Sequence, residues 1–92
     1  MAEESRTDEL KAQNYAACLD GADTITTVIA THDKGSDATS EDFAFDMTTD
    51  EKKARVSRSM GYLVDMMALE DWGSEDMTKI KAAISAGTTF VG

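Results

Sequence analysis

The chain is short and strongly acidic, with 92 residues, nine Lys and Arg against eighteen Asp and Glu, and a net charge of −9 at pH 7. This length suits one domain with a modest core, and a hydrophobic content of 41% argues against wholesale disorder. The excess of acids disfavours direct binding to nucleic acids or anionic membranes, since that binding depends on basic groups. The single Cys excludes an intrachain disulfide, so oligomerisation is the stabilising device that the composition favours.

The acidic charge lies mainly in the first half of the chain. Residues 1–46 hold eleven acids and three bases, a net charge of −8, whereas residues 47–92 hold seven acids and six bases. The opening sequence, MAEESRTDEL, is too charged for a secretory signal, and no apolar run approaches the ~20 residues that span a bilayer. We therefore expect a cytoplasmic protein, or a virion protein if the source is a phage, and we expect its partners to be basic.

A long helix is predicted over residues 7–33. Acids fill its first turn, where they favour the positive end of the helix dipole, and Gly35 is expected to end it. Gly21 and the β-branched run at 24–29 argue against continuity, because glycine weakens a helix and such a run suits a strand. We favour the helix, straight or kinked near Gly21, and keep a strand as the alternative. The residues expected to face the core recur at spacings of three and four: Tyr15, Cys18, Ala22, Ile25, Ile29 and His32.

An acidic linker is predicted over residues 34–47, which are mostly small, polar or acidic. Phe43 and Phe45 interrupt it, and their spacing of two predicts that both rings lie on one side of an extended segment, against the core. The linker also holds oxygen ligands of the kind that Ca²⁺ and Mg²⁺ prefer. Because the EF-hand pattern is not met, a solvated acidic loop is the favoured interpretation. The candidate ligands are Asp33, Asp37, Glu41 and Asp42.

A second helix is predicted over residues 48–70, and its start has the strongest signal in the chain. Thr48 and Glu51 form a capping box, in which each side chain accepts a hydrogen bond from the other residue's backbone N–H. Apolar residues then recur with helical spacing and predict one face that packs against the core. That face comprises Val56, Met60, Leu63, Val64 and Met67.

A short third helix is predicted after a corner at Trp72. Ser74 is expected to cap it, and Gly87 is expected to end it. Residues 88–92 would then form a tail that folds back on the helix end. The side chains expected to point inward are Met77, Ile80 and Ile84.

Signatures of enzymes are missing from the sequence. No glycine loop for phosphate occurs, and no Ser or Cys has an evident base. His32 and Asp33 resemble the paired metal ligands of helical phosphohydrolases, but those sites need further histidines and His32 is the only one. Cys18 has acidic neighbours and is interpreted as a small core residue rather than a reactive thiol. We therefore predict a non-enzymatic protein with no catalytic residue, cofactor, metal or small-molecule substrate.

The far side of helix 48–70 is the most informative surface. At 100° per residue, Arg58, Tyr62 and Leu69 lie close together and opposite Met60. Arginine and tyrosine among apolar residues are typical of protein interfaces. The alternatives are that the apolar members are scattered surface residues, or that the first helix covers them. The predicted partner interface comprises Arg55, Arg58, Tyr62, Met66 and Leu69.

The C-terminal half loosely resembles small helical accessory proteins encoded in the structural gene clusters of tailed phages. The features that carry the resemblance are a basic capped helix, an Asp-Trp corner and an Ala-rich helix ending in glycine, within MTTDEKKARVSRSMGYLVDMMALEDWGSEDMTKIKAAISAG. It covers about half of the chain and transfers no functional residue. The resemblance implies a virion component or assembly factor that works in repeated copies.

Taken together, the sequence predicts an all-α domain: one long N-terminal helix, an acidic linker, and a helical hairpin over 48–92, packed as a three-helix unit. The first functional hypothesis is a structural or assembly protein that self-associates or docks on a larger particle. The second is an acidic inhibitor that imitates nucleic acid and blocks a basic groove of a nuclease or regulator. The concentration of acids in residues 1–46 favours the first, because it makes the molecule two-sided rather than uniformly negative.

Overall fold

The computed structural model describes the chain at residues 2–69, 72 and 75–92, and the side chains at 9–68, 72 and 75–92. Three helices pack together: α1 (Ala2–Lys34), α2 (Thr49–Leu69) and α3 (Thr78–Val91), with a 3-10 turn at Gly35–Asp37 after α1. The described residues contain no strand, so the predicted all-α three-helix unit is confirmed. None of the described helices has the length and apolar character needed to cross a membrane.

The first helix continues through the segment for which a strand was the alternative. The hydroxyl groups of Thr24 and Thr26 donate hydrogen bonds to the carbonyl oxygens one turn earlier, at 3.1 and 3.0 Å, so these polar groups are satisfied within the helix. Gly21 does not interrupt α1. A Cβ at Gly21 would lie 3.2 Å from Cδ2 of Leu63, so the glycine allows α1 and α2 to approach closely.

The buried face of α1 lies slightly to one side of the predicted one. Val28 is fully buried where Ile29 was expected, and Thr31 is almost fully buried. Tyr15 and His32 lie at the margins of this face, where they are partly exposed. Its fully buried apolar members are Cys18, Ala22, Ile25 and Val28.

Contacts at the two ends of the bundle hold α1 against the rest of the fold. The hydroxyl of Tyr15 donates a 2.6 Å hydrogen bond to the carbonyl oxygen of Asp76, and its ring lies 6.0 Å from that of Trp72. At the other end, the His32 ring contacts the Phe90 ring edge-on at 5.0 Å. His32 therefore packs against an aromatic ring from the last turn of α1.

The first helix is longer than predicted, beginning at Ala2 rather than residue 7. Its 33 residues correspond to about 50 Å at 1.5 Å per residue. The longest dimension of the molecule is 54 Å. The first fully buried side chain of α1 among those described is Cys18, so the N-terminal part of the helix extends beyond the bundle.

The start of α2 follows the predicted capping box. The backbone N–H of Thr48 donates to Oε1 of Glu51 at 2.9 Å, and the N–H of Glu51 donates to Oγ1 of Thr48 at 3.1 Å. These hydrogen bonds hold the pKa of the Glu51 carboxyl below its ordinary value, the backbone donor at Thr48 being the main cause. The local sequence thus fixes the N-terminus of α2 without help from the core.

The predicted core face of α2 is correct for four residues and wrong for Val64. Val56 and Leu63 are fully buried, and two methionines, Met60 and Met67, pack against the same core. Val64 instead has 52% of its surface exposed. Leu63 and Val64 are 100° apart around the helix, and α1 covers the Leu63 side.

The third helix is longer at its C-terminus than predicted. It begins at Thr78, whose N–H donates to a carboxylate oxygen of Asp76 at 3.0 Å, and the predicted cap Ser74 lies outside the described residues. The prediction that Gly87 ends the helix is wrong, and so is the folded-back tail, because α3 continues to Val91. Gly87 is buried, and a Cβ there would lie 2.6 Å from Sδ of Met60. This glycine marks a close contact between α2 and α3 rather than a helix end.

Candidate interaction surfaces

The predicted interface on α2 is divided between the core and the surface. Met66 packs against the core cluster, and Arg55 is half-buried. Tyr62 is 42% exposed, although one edge of its ring lies 4.0 Å from where a Cβ on Gly21 would stand. Arg58 is exposed, and the side chain of Leu69 lies outside the described part of the chain. The five residues are therefore not one open face, and the alternative in which α1 covers part of them applies to Tyr62.

A more open apolar surface lies between α2 and α3. It forms a groove of about 500 Å³, which we call the hairpin groove. Val64, one of its apolar members, has 52% of its surface exposed. In the part of the chain that the structure describes, the lining comes from α2 and α3 and consists of Val64, Met67, Ala68, Lys81 and Ile84. The hairpin therefore has an apolar surface that no described side chain of α1 lines.

A second exposed apolar feature lies in the linker, within residues 39–47, which we call the phenylalanine loop. Phe43 and Phe45 have 46% and 40% of their surfaces exposed, so the prediction that both rings lie against the core is wrong. The intervening Ala44 packs against the core instead, and its backbone has φ +67°. The segment is thus a series of turns rather than an extended strand, and the spacing of two does not place both rings inward.

Hydrogen bonds hold the phenylalanine loop in this shape. Asp42 accepts from Nζ of Lys34 at 2.6 Å and from the N–H of Thr39 at 2.9 Å. The lysine ammonium is the main reason that the pKa of Asp42 lies below its ordinary value. Further backbone bonds link Phe45 to Asp42 at 3.2 Å and Met47 to Ala44 at 3.1 Å. The two exposed rings are therefore carried by an ordered turn.

One edge of the phenylalanine loop contacts α1. Phe43 lines a shallow pocket of about 250 Å³ together with three residues of α1, namely Asp23, Thr24 and Thr27. This contact steadies Phe43 while leaving nearly half of its surface accessible. The loop and the hairpin groove share no lining residue, so they are separate surfaces on the molecule.

Two residues of the kinds that often serve in catalysis or metal binding, Cys18 and Asp42, are buried or paired in this fold. Cys18 is fully buried, and burial raises the pKa of its thiol. Among the candidate cation ligands, Asp42 is engaged by Lys34. In the part of the chain that the structure describes, no three His, Cys, Asp or Glu residues are grouped as a metal ion would require. No known protein family model matches the chain, and no curated protein or solved structure has significant similarity to it.

Proposed function

We propose that this chain is a non-enzymatic structural or assembly protein that works by protein–protein contact, in the first place with further copies of itself. The observation that supports the proposal best is the presence of two ordered, exposed apolar surfaces, the hairpin groove and the phenylalanine loop. Apolar surface removed from water contributes about 25 cal/mol per Å², so covering both surfaces would stabilise an assembly. The predicted interface on α2 is replaced in this proposal by these two surfaces, since Arg58 and Tyr62 lie on the opposite side of α2 from the hairpin groove.

The small size of the chain also favours self-association, because a small domain gains stability from it. A domain of 92 residues without a disulfide has few means of stabilisation beyond its core. Oligomerisation adds buried area without lengthening the chain. The resemblance to phage accessory proteins fits this proposal, since virions are built from repeated copies, and it would place the protein in the virion or in the infected cytoplasm.

The acidic-inhibitor hypothesis receives less support from the structure. It depends on acids that are available to imitate phosphates, and Asp23, a residue of the exposed acidic side of α1, forms a 2.5 Å ion pair with Lys79. Asp42 is likewise paired with Lys34. Internal pairing leaves these two carboxylates less available to a basic partner. Mimicry also gives no role to the exposed phenylalanines or the hairpin groove.

The test is the molar mass of the protein in solution, measured by size-exclusion chromatography with light scattering over a hundredfold range of concentration. We expect a mass that exceeds 9.9 kDa and rises with concentration. The association should persist when NaCl is raised to about 1 M, because salt screens charge pairs but does not weaken apolar contacts. A constant mass of one chain at every concentration would contradict self-association.

A further inference from the structure

We infer that the phenylalanine loop of one copy docks into the hairpin groove of a second copy, so that the copies join head to tail. This inference rests on the proposed self-association and identifies the two surfaces that meet. It commits to one occupant for the groove, a second copy of this chain. Three features favour this occupant: exposed apolar surface on both sides of the contact, opposite charges beside it, and a loop that is already ordered.

Exposed apolar surface is the first reason. The groove is about 500 Å³ in volume and is lined mainly by aliphatic and thioether side chains from α2 and α3. Phe43 and Phe45 have 46% and 40% of their surfaces exposed. Aromatic side chains bury about 150–250 Å² each and dominate the energetics of interfaces. The loop therefore offers exposed aromatic surface, and the groove offers apolar surface that it can cover.

Charge is the second reason. Among the described residues that line the groove, Lys81 is the charged one. The phenylalanine loop carries exposed acids on both sides of its rings, at Glu41 and Asp46. Docking the rings in the groove brings these carboxylates toward the lysine of the second copy. Opposite charges at the rim of an apolar contact set its orientation and exclude wrong partners.

Order is the third reason. A loop that is already held in its binding shape loses less conformational entropy on docking. The ion pair of Asp42 with Lys34 and the turns around Ala44 provide this order. The left-handed backbone of Ala44 is an uncommon conformation for a residue other than glycine, and such strain tends to persist at binding segments.

The geometry of the contact also follows. In the proposed head-to-tail arrangement the contact is heterologous, and each copy that is bound only through its loop still offers a free groove. Such contacts close into rings or extend as filaments, depending on the rotation between neighbours. A symmetric dimer that pairs one surface with itself is not expected.

The experiment uses two variants of the full chain, each defective in one surface. Phe43→Ser with Phe45→Ser removes the rings, and Val64→Glu places a charge in the groove. Each should weaken self-association at least about 30-fold, as the loss of interface hot spots does. Matched controls change exposed residues elsewhere: Leu10→Ser for the rings, and Ala86→Glu on α3 for the added charge. Circular dichroism checks that each variant is folded. If Val64→Glu does not fold, Lys81→Glu takes its place as the groove variant.

Mixing the two variants gives the decisive result. The groove of the ring variant and the loop of the groove variant are both intact, so a mixture should form a complex of two chains although neither variant associates alone. If both variants remain as oligomeric as the wild type, the inference is wrong and the proposed self-association stands. If both are monomeric and their mixture stays monomeric, the surfaces do not meet each other and the inference is again wrong. If the wild type itself is monomeric, the proposed function fails as well.

Discussion

The α2–α3 hairpin has two apolar faces, and α1 covers one of them. The inner face, comprising Val56, Leu63, Ile80 and Ala83, is almost entirely buried. The outer face is the hairpin groove, where Val64 is half-exposed and Ile84 is partly exposed. Both faces are aliphatic, so composition alone does not distinguish the one that stabilises the fold from the one left for a partner. The difference is made by α1, which is the third member of the bundle and packs on one side only.

Two adjacent residues of α2 give the largest expected contrast between the faces. Leu63→Ala should lower the free energy of unfolding by about 2–5 kcal/mol, since it empties a fully buried site. Val64→Ala should change it by less than about 0.5 kcal/mol, because the side chain is exposed and alanine favours a helix. Urea unfolding, measured at a concentration where the protein is monomeric, gives both values. Equal losses for the two variants would contradict the assignment of inner and outer faces.

Two glycines test how closely the inner surfaces approach. Gly87→Val should destabilise the protein by about 1–3 kcal/mol through overpacking, since even a Cβ there would meet Met60 and Val56. Gly61→Val is the matched control, because nothing lies within 4 Å of its Cβ position. Valine also favours a helix over glycine by a few tenths of a kcal/mol, so the control should be neutral or slightly stabilising. Thermal unfolding followed by circular dichroism compares the two, and a stable Gly87→Val protein would refute the close contact of α2 and α3.

The capping box gives a smaller effect that involves neither face. Thr48→Ala should cost about 1 kcal/mol of stability, since it removes the acceptor for the N–H of Glu51. Thr49→Ala, one position along the chain, is the control and should change stability much less. Urea unfolding distinguishes them, and equal costs at the two threonines would show that the cap does not hold α2.

The pH dependence of stability carries the smallest expected effect. The pKa of Glu51 is lowered in the folded protein. The stability that its carboxylate contributes is therefore fully present above the ordinary pKa of glutamate, and it is lost as the pH falls through the pKa of the folded state. Glu51→Gln keeps an acceptor but cannot titrate. Between pH 6 and pH 3, roughly, the wild type should therefore lose more stability than this variant. Parallel curves for the two proteins in urea unfolding would contradict the role of the carboxylate.

Most of the fold follows from local signals, and the deviations have physical causes. The capping box and the three-and-four spacing act within a few residues, so they place the start of α2 and most of the core face of α1, where Val28 replaces Ile29. The β-branched run at 24–29 suits a strand, but the favoured helix is found there because packing against the other helices overrides that intrinsic preference. Gly87 misleads because a glycine at a close helix contact and a glycine at a helix end look alike in sequence. The two cases can be told apart only in the structure, where Sδ of Met60 lies against Gly87.

The candidate site was harder to predict than the fold. A helical wheel sorts the residues of α2 by angle, but it does not say how wide a sector α1 and α3 cover. The wheel therefore predicts Met66 outward and Val64 inward, whereas Met66 packs against the core and Val64 is exposed. The two phenylalanines stand out in the linker sequence, but the direction of their rings depends on the left-handed turn at Ala44, which has no signal in the sequence.

The central claim is that a second copy covers the outer face of the hairpin with its phenylalanine loop. An isotope-filtered NMR experiment tests it most directly, using the mixture of the ring variant and the groove variant with only the former labelled with carbon-13. The account predicts intermolecular NOEs between methyl groups of Val64 and Ile84 in the labelled chain and the ring protons of Phe43 and Phe45 in the unlabelled chain. A complex of two chains without these NOEs, or with NOEs from those methyls to a different surface, would contradict it.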